Sequence, residues 1–152
     1  MKVFVTGIAG QLGHDVVKEL HKRGHLPVGS DIVPEAGSDY PEGLPYIRLD
    51  ITDPCAVSDA MKRAQPDAVI HCAAWTAVDA AEDEANRPKV RAINVDGTRH
   101  IAEACRALDC KMMYISTDYA LNGQGNTPWQ ADGEDFAPLS VYGRTKLAGE
   151  LA

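Results

Sequence analysis

The stretch that most restricts how this chain can fold is its amino-terminal strand-and-glycine segment. Val3-Phe4-Val5 is a short apolar run ending at Thr6-Gly7, the pattern of a buried strand. Gly7, Gly10 and Gly13 then recur at three-residue spacing, and over 11–23 the apolar residues Leu12, Val16 and Leu20 fall on one helix face. In a strand–turn–helix unit the first such glycine allows the tight turn. The second lets backbone approach a ligand, and the third lets helix and strand pack closely. Gly24, after Lys22-Arg23, stops the helix.

The rest of the chain repeats the alternation. A second strand is predicted over 26–30, ending at Asp31, and a Pro- and Gly-rich loop over 33–45. A third strand covers 46–49 and closes with Asp50. Asp53-Pro54 starts a helix that reaches about Ala64, with Asp53 as cap. A fourth strand over 68–74, a long helix over 88–108 and a fifth strand over 112–115 follow. A polar loop over 117–138 leads to a last helix over 141–151. The strands are solidly apolar instead of alternating, which indicates a parallel sheet covered by helices on both faces. The expected architecture is a doubly wound parallel α/β sheet of the Rossmann type, one domain over 1–152.

Hydrophobic residues make up 45% and charged residues 24%, ordinary for a soluble globular protein. The net charge of −7 disfavours nucleic acid and membrane as partners, because such a surface repels phosphate backbones and anionic lipid. An anionic nucleotide is a different case, since a helix terminus and backbone amides can hold it locally. Cys55, Cys72, Cys105 and Cys110 form no CxxC pair and read as reduced thiols of a cytoplasmic protein. The first strand starts at once, which leaves no room for a signal peptide, and no apolar run approaches the ~18 residues of a membrane span.

The scattered histidines suggest no metal. His14 and His21 read as helix surface, and His71 as a satisfied core histidine. The acidic run over 79–84 reads as a solvated loop or helix start, and Trp129 either flanks a substrate or anchors the loop.

Free amides of Gln11 and Leu12 at the first helix start are suited to phosphate oxygens. Asp31, at the end of the next strand, either bonds adenosine ribose hydroxyls or is a solvated strand end; its position favours the first. A carboxylate there repels a ribose 2′-phosphate, and no arginine follows it closely, so the residues lean towards NAD(H) over NADP(H). Tyr142 and Lys146 stand one helical turn apart on the same face. A phenol titrates near ~10, and a neighbouring cation favours the phenolate. Such a tyrosine can exchange a proton with a carbinol or carbonyl oxygen while a nicotinamide carries the hydride. Ser116-Thr117 ends the fifth strand, and Lys146 could also hold the nicotinamide ribose.

The combination of TGxxGxxG over 6–13 and YxxxK over 142–146 resembles the extended short-chain dehydrogenase/reductases. Within that group LDITD over 49–53, HCAAWTAVD over 71–79, STDY over 116–119 and VYGRTKLAGE over 141–150 resemble the dTDP-4-dehydrorhamnose reductase family. The resemblance implies that Gly7, Gly10 and Gly13 form the cofactor turn, Gln11 and Leu12 meet the pyrophosphate, and Asp31 meets the adenosine ribose. It implies that Asp50 and Ile51 border the adenine, while Ala73, Ala74 and Trp75 line the nicotinamide side. Thr117 and Asp118 fall in the sugar site, Tyr142 is the proton donor and Lys146 its partner. The implied reaction is reduction of the 4-keto group of dTDP-4-dehydro-L-rhamnose by NAD(P)H, with a nucleotide sugar as substrate; a homodimer is left open.

The chain departs from the family where Ala120-Leu121-Asn122-Gly123 replaces the common Val-Phe-Asp-Gly, and where Trp75 stands for a common tyrosine. Members often accept NADPH, so Asp31 does not settle the cofactor. They also run well beyond this length into a small substrate-binding domain. The expectation is therefore a cofactor-binding part without the carboxyl-terminal substrate part, with weak or absent turnover by itself. Two alternatives stand beside it: a nucleotide-sugar epimerase or dehydratase with tightly held NAD, and a non-catalytic dinucleotide-binding regulatory subunit. Intact Thr117, Tyr142 and Lys146 argue against the second.

Overall fold

Strand β1 (Lys2–Thr6) is apolar on both faces because it runs through the middle of the sheet. The computed structural model describes residues 1–130, 133 and 136–152. Around β1 stand β2 (Leu26–Asp31), β3 (Tyr46–Arg48), β4 (Ala68–His71) and β5 (Lys111–Tyr114), all parallel, in the order β3-β2-β1-β4-β5. The pleat sends Phe4, Val28, Leu49 and Val69 to one core, shared with Val57, Met61 and Ile101 of the helices on that side. Val3, Val5 and Ile8 go to the other, against Val17. Phe4, Met61 and Ile101 are wholly buried, each contributing about 2 kcal/mol of transfer free energy.

The helices are α1 (Gln11–Lys22), α2 (Pro54–Ala64), α3 (Val78–Ala81), α4 (Arg87–Arg91), α5 (Thr98–Ala107) and α6 (Val141–Glu150). Gly24, at φ +76°, ends α1 as the glycine stop predicts, with His25 N–H returning to the Leu20 carbonyl at 3.0 Å. Asp53 caps α2 by accepting from the Cys55 and Ala56 amides, and Ser140 caps α6 by accepting from Gly143. The helix predicted over 88–108 is present but not uniform. Between α4 and α5 it widens to π geometry over Ala92–Gly97.

Strand β4 stops at His71, short of the expected Ala74, because Ala73 N–H leaves the ladder and donates to the Thr6 hydroxyl at 3.1 Å. The acidic run over 79–84 begins in helix α3. The loop over 117–138 holds a 3-10 turn, Asp118–Ala120, and a bridge between Leu121 and Phe136. Ala131, Asp132, Glu134 and Asp135 of that loop lie outside the described residues. Trp129 is 39% exposed, which does not suit a packed loop anchor. His71 is a satisfied core histidine as expected, and His14, only partly buried, pairs with Asp39 at 3.0 Å. The four cysteines are free thiols. Among the described residues no helix is long and apolar enough to cross a membrane, and no cluster of His, Cys, Asp or Glu converges as a metal site.

Candidate active site

The strand order reverses between β1 and β4, and there the two strand ends diverge to open a cleft of about 620 Å³. Gly7 sits at the fork with φ +74°; a Cβ there would stand 2.6 Å from Ala73 N and 2.7 Å from Ala73 Cα. Only glycine satisfies both the backbone angle and that approach. A Cβ on Gly13 would run into the Gly7 carbonyl, so the third glycine is what lets α1 seat on the end of β1.

Gly10 precedes α1 without a side-chain cap. Among the described residues the N–H groups of Gln11, Leu12 and Gly13 have no acceptor, while His14 N–H is the first to bond back, to Gly10 O at 3.1 Å. An uncapped helix amino terminus lined by glycine is a cradle for phosphate oxygens, so the chain's residues fit a dinucleotide pyrophosphate. Asp31 borders this turn. Its carboxylate accepts from Ala9 N–H at 2.9 Å and from Ile32 N–H at 2.7 Å.

Of the residues singled out in the sequence, Gly7, Gly10, Gln11, Leu12, Gly13 and Asp31 line the amino-terminal side of the cleft. Asp50, Ile51, Ala73, Ala74, Tyr142 and Lys146 line it further along. Trp75, Thr117 and Asp118 stand outside this lining. Trp75 is held through its backbone, its N–H donating to Asn94 Oδ1 at 2.8 Å, and its indole N–H donates to the Ala77 carbonyl at 2.9 Å. Thr117 donates to Asp118 at 3.2 Å and accepts from Tyr119 N–H, capping the 3-10 turn.

That turn lies against α6. Tyr119 and Tyr142 meet edge to face with centroids 5.7 Å apart, and a Cβ on Gly143 would overlap the Tyr119 carbonyl oxygen. Tyr142 is thus enclosed, and burial raises its phenol above the ordinary range; the nearby Thr117 hydroxyl pulls the other way, and Asp118 and Tyr119 add to the rise. This differs from the lowered phenol expected from a neighbouring ammonium. The Lys146 Nζ is engaged elsewhere: it donates to the Ile115 carbonyl at 2.6 Å and lies 4.1 Å from the centre of the Tyr114 ring. Burial brings Lys146 down to about 8, with Glu150 and Cys72 opposing the fall.

One residue beside the site was not singled out. Asn94, on the π segment, is buried and binds both backbone groups of Trp75 and the Thr145 hydroxyl of α6. It joins the β4 exit to the helix bearing Tyr142. Thr98 donates to the Asn94 carbonyl, so its oxygen accepts from His71 Nε2–H at 3.2 Å. His71 Nδ1 is left to accept from the Thr6 hydroxyl at 2.7 Å.

A five-stranded parallel sheet in this order, with a glycine-lined cleft at its reversal point, defines the chain as a Rossmann-type doubly wound α/β domain. The family model described as the RmlD substrate binding domain matches residues 1–152, and the chain belongs to that family. It is 40% identical over 148 residues to a dTDP-4-dehydrorhamnose reductase of Streptomyces griseus, covering 97% of this chain and 43% of that protein. The crystal structure of dTDP-4-dehydrorhamnose reductase from Bacillus anthracis in complex with NADP superposes with a TM-score of 0.79 at 33% identity. That match covers 99% of this chain and 48% of the other. UDP-glucose 4-epimerase from Brucella ovis in complex with NAD gives a TM-score of 0.86 at 29% identity, covering 99% and 46%. The chain spans less than half the length of these relatives.

Proposed function

We propose that the cleft holds a nicotinamide dinucleotide, NADH or NADPH. We propose further that the protein reduces the 4-keto group of dTDP-4-dehydro-L-rhamnose to dTDP-L-rhamnose. One observation carries the reading: the Tyr142 phenol borders the same cleft as the uncapped amino terminus of α1. The relatives named as reductases of this ketosugar supply the substrate class.

In this reading the amides of Gln11, Leu12 and Gly13 hold the pyrophosphate, Asp31 takes the adenosine ribose hydroxyls, and Asp50 and Ile51 border the adenine. Ala73 and Ala74 form the apolar wall on the nicotinamide side, with Trp75 fixed behind them by Asn94. A bound reduced nicotinamide supplies the hydride. Tyr142 donates its proton to the carbonyl oxygen as that oxygen gains charge. In this reading Thr117 turns its hydroxyl proton from Asp118 to the same oxygen as a second hydrogen bond. Lys146, at about 8, is still an ammonium at neutral pH. It holds the nicotinamide ribose, and on turning from the Ile115 carbonyl it favours the phenolate left behind by Tyr142. Four cysteines without a disulfide support a cytoplasmic setting.

The test is a single-turnover incubation of the chain, in excess over dTDP-4-dehydrorhamnose, with NADPH. The expected result is dTDP-L-rhamnose with one NADPH oxidised per sugar, slowed about 100-fold or more by Tyr142→Phe. Sugar epimerisation without net oxidation of the cofactor, or conversion as fast in Tyr142→Phe as in wild type, overturns the reductase reading.

A further inference from the structure

Asp31 is a poor neighbour for a ribose 2′-phosphate, and no cation follows it in sequence until Arg48. The sheet removes that separation. In the β2–β3 ladder Asp31 pairs with Arg48, and parallel partners in register project to the same face, with strands about 4.8 Å apart. The two residues before them repeat the relation: Gly29 pairs with Tyr46 on that face.

Both β3 side chains reach past the end of β2. The Tyr46 hydroxyl bonds the carbonyls of Asp31 and Val33, and Arg48 Nε donates to the Ile32 carbonyl at 3.2 Å. Arg48 is therefore anchored by one nitrogen at the rim of the cleft, beside Asp31 and Ile32, which both line it. It is exposed, and among the described residues its guanidinium makes no ion pair. The Asp31 carboxylate, for its part, already accepts two backbone N–H bonds, which draw off some of its charge.

We infer that Arg48 is the residue that admits a 2′-phosphate: its free guanidinium nitrogens bind the adenosine ribose 2′-phosphate of NADP(H), supplied across the sheet from β3 instead of along the chain after Asp31. This rests on the dinucleotide reading above and deepens it. An arginine fork suits a phosphate because it offers parallel donors and a charge that does not titrate away. Asp31 and Arg48 together serve both cofactors. The carboxylate binds the free hydroxyls of NAD(H), and the guanidinium compensates the added phosphate of NADP(H).

Equilibrium titration of the chain with NAD+ and NADP+, for wild type and Arg48→Gln, tests this without any turnover. The ratio of the two dissociation constants is expected to move about tenfold against NADP+ in Arg48→Gln. Arg48→Lys, which keeps the charge but not the fork, is expected to recover part of the change. NAD+ binding by the same variant reports that it is folded. If both dinucleotides bind wild type and the ratio stays within about twofold in Arg48→Gln, the Arg48 assignment is overturned while the dinucleotide reading stands. If neither dinucleotide binds wild type, both fall.

Discussion

His71 is buried as the neutral imidazole in the middle of the sheet, so acid charges it first in the unfolded chain. Both ring nitrogens are already committed, Nε2–H to Thr98 and Nδ1 to the Thr6 hydroxyl. A second proton would set a new donor against that hydroxyl inside a dry core. Burial, with a smaller push from the Lys146 charge, lowers the ring from 6.5 to about 3. A base depressed in the folded state contributes stability that is fully present above 6.5. That stability is lost as the pH falls towards 3, since the unfolded chain binds the proton first. The loss is about 1.4 kcal/mol per pH unit, roughly 4–5 kcal/mol across the window. That is a large part of an ordinary domain's about 5–15 kcal/mol.

Urea unfolding of wild type and His71→Leu, from about pH 7 down to about pH 4, measures it. The variant is expected to be weaker at neutral pH by about 1–3 kcal/mol, because Thr6 and Thr98 each lose a partner. Its stability falls less steeply with acid, so the two curves converge by about 1.4 kcal/mol per unit below 6.5. Parallel curves would refute the neutral-tautomer assignment and the buried network with it.

Gly13→Ala puts a methyl against the Gly7 carbonyl and within 3.0 Å of Ile8 Cα; α1 must lift from β1. A destabilisation of about 1–3 kcal/mol by urea unfolding, together with weakened dinucleotide binding, is expected. Lys146, held near 8 against its usual 10.5, makes the folded state bind fewer protons than the unfolded chain between those values. Its contribution to stability therefore rises with pH there, by at most about 3 kcal/mol, and the rise is lost in Lys146→Met when the two pH profiles are subtracted. Asp53→Ala removes the acceptor for two first-turn amides of α2 and should cost about 1 kcal/mol by thermal or urea unfolding.

The strands, the glycine turn and the caps were legible because each rests on local chemistry. Val3-Phe4-Val5 has no polar face to present to water, Asp53-Pro54 can only begin a helix well, and Gly24 can only end one well. What sequence reading missed depends on direction or register. Tyr142 and Lys146 do share a helix face, yet the lysine ammonium goes to the Ile115 carbonyl at the end of β5 instead of lowering the phenol. Spacing along a helix fixes which face a side chain starts from, not where a long, flexible one ends. Arg48 is invisible as a neighbour of Asp31 until β2 and β3 are aligned. Asn94 carries no periodic signal, and its role emerges only from the backbone groups of Trp75 that it satisfies.

If a dinucleotide lies across the glycine turn with its nicotinamide end beside Tyr142, amide NMR during NADP+ titration detects that placement. Saturable shifts are expected at Gln11, Leu12 and Gly13, where N–H groups await an acceptor, at Ile32 and Ile51 on the adenosine side, and at Ala73 and Ala74 on the nicotinamide side. A titration that moves none of the α1 amino-terminal amides, or that saturates only at residues away from the cleft, would contradict it.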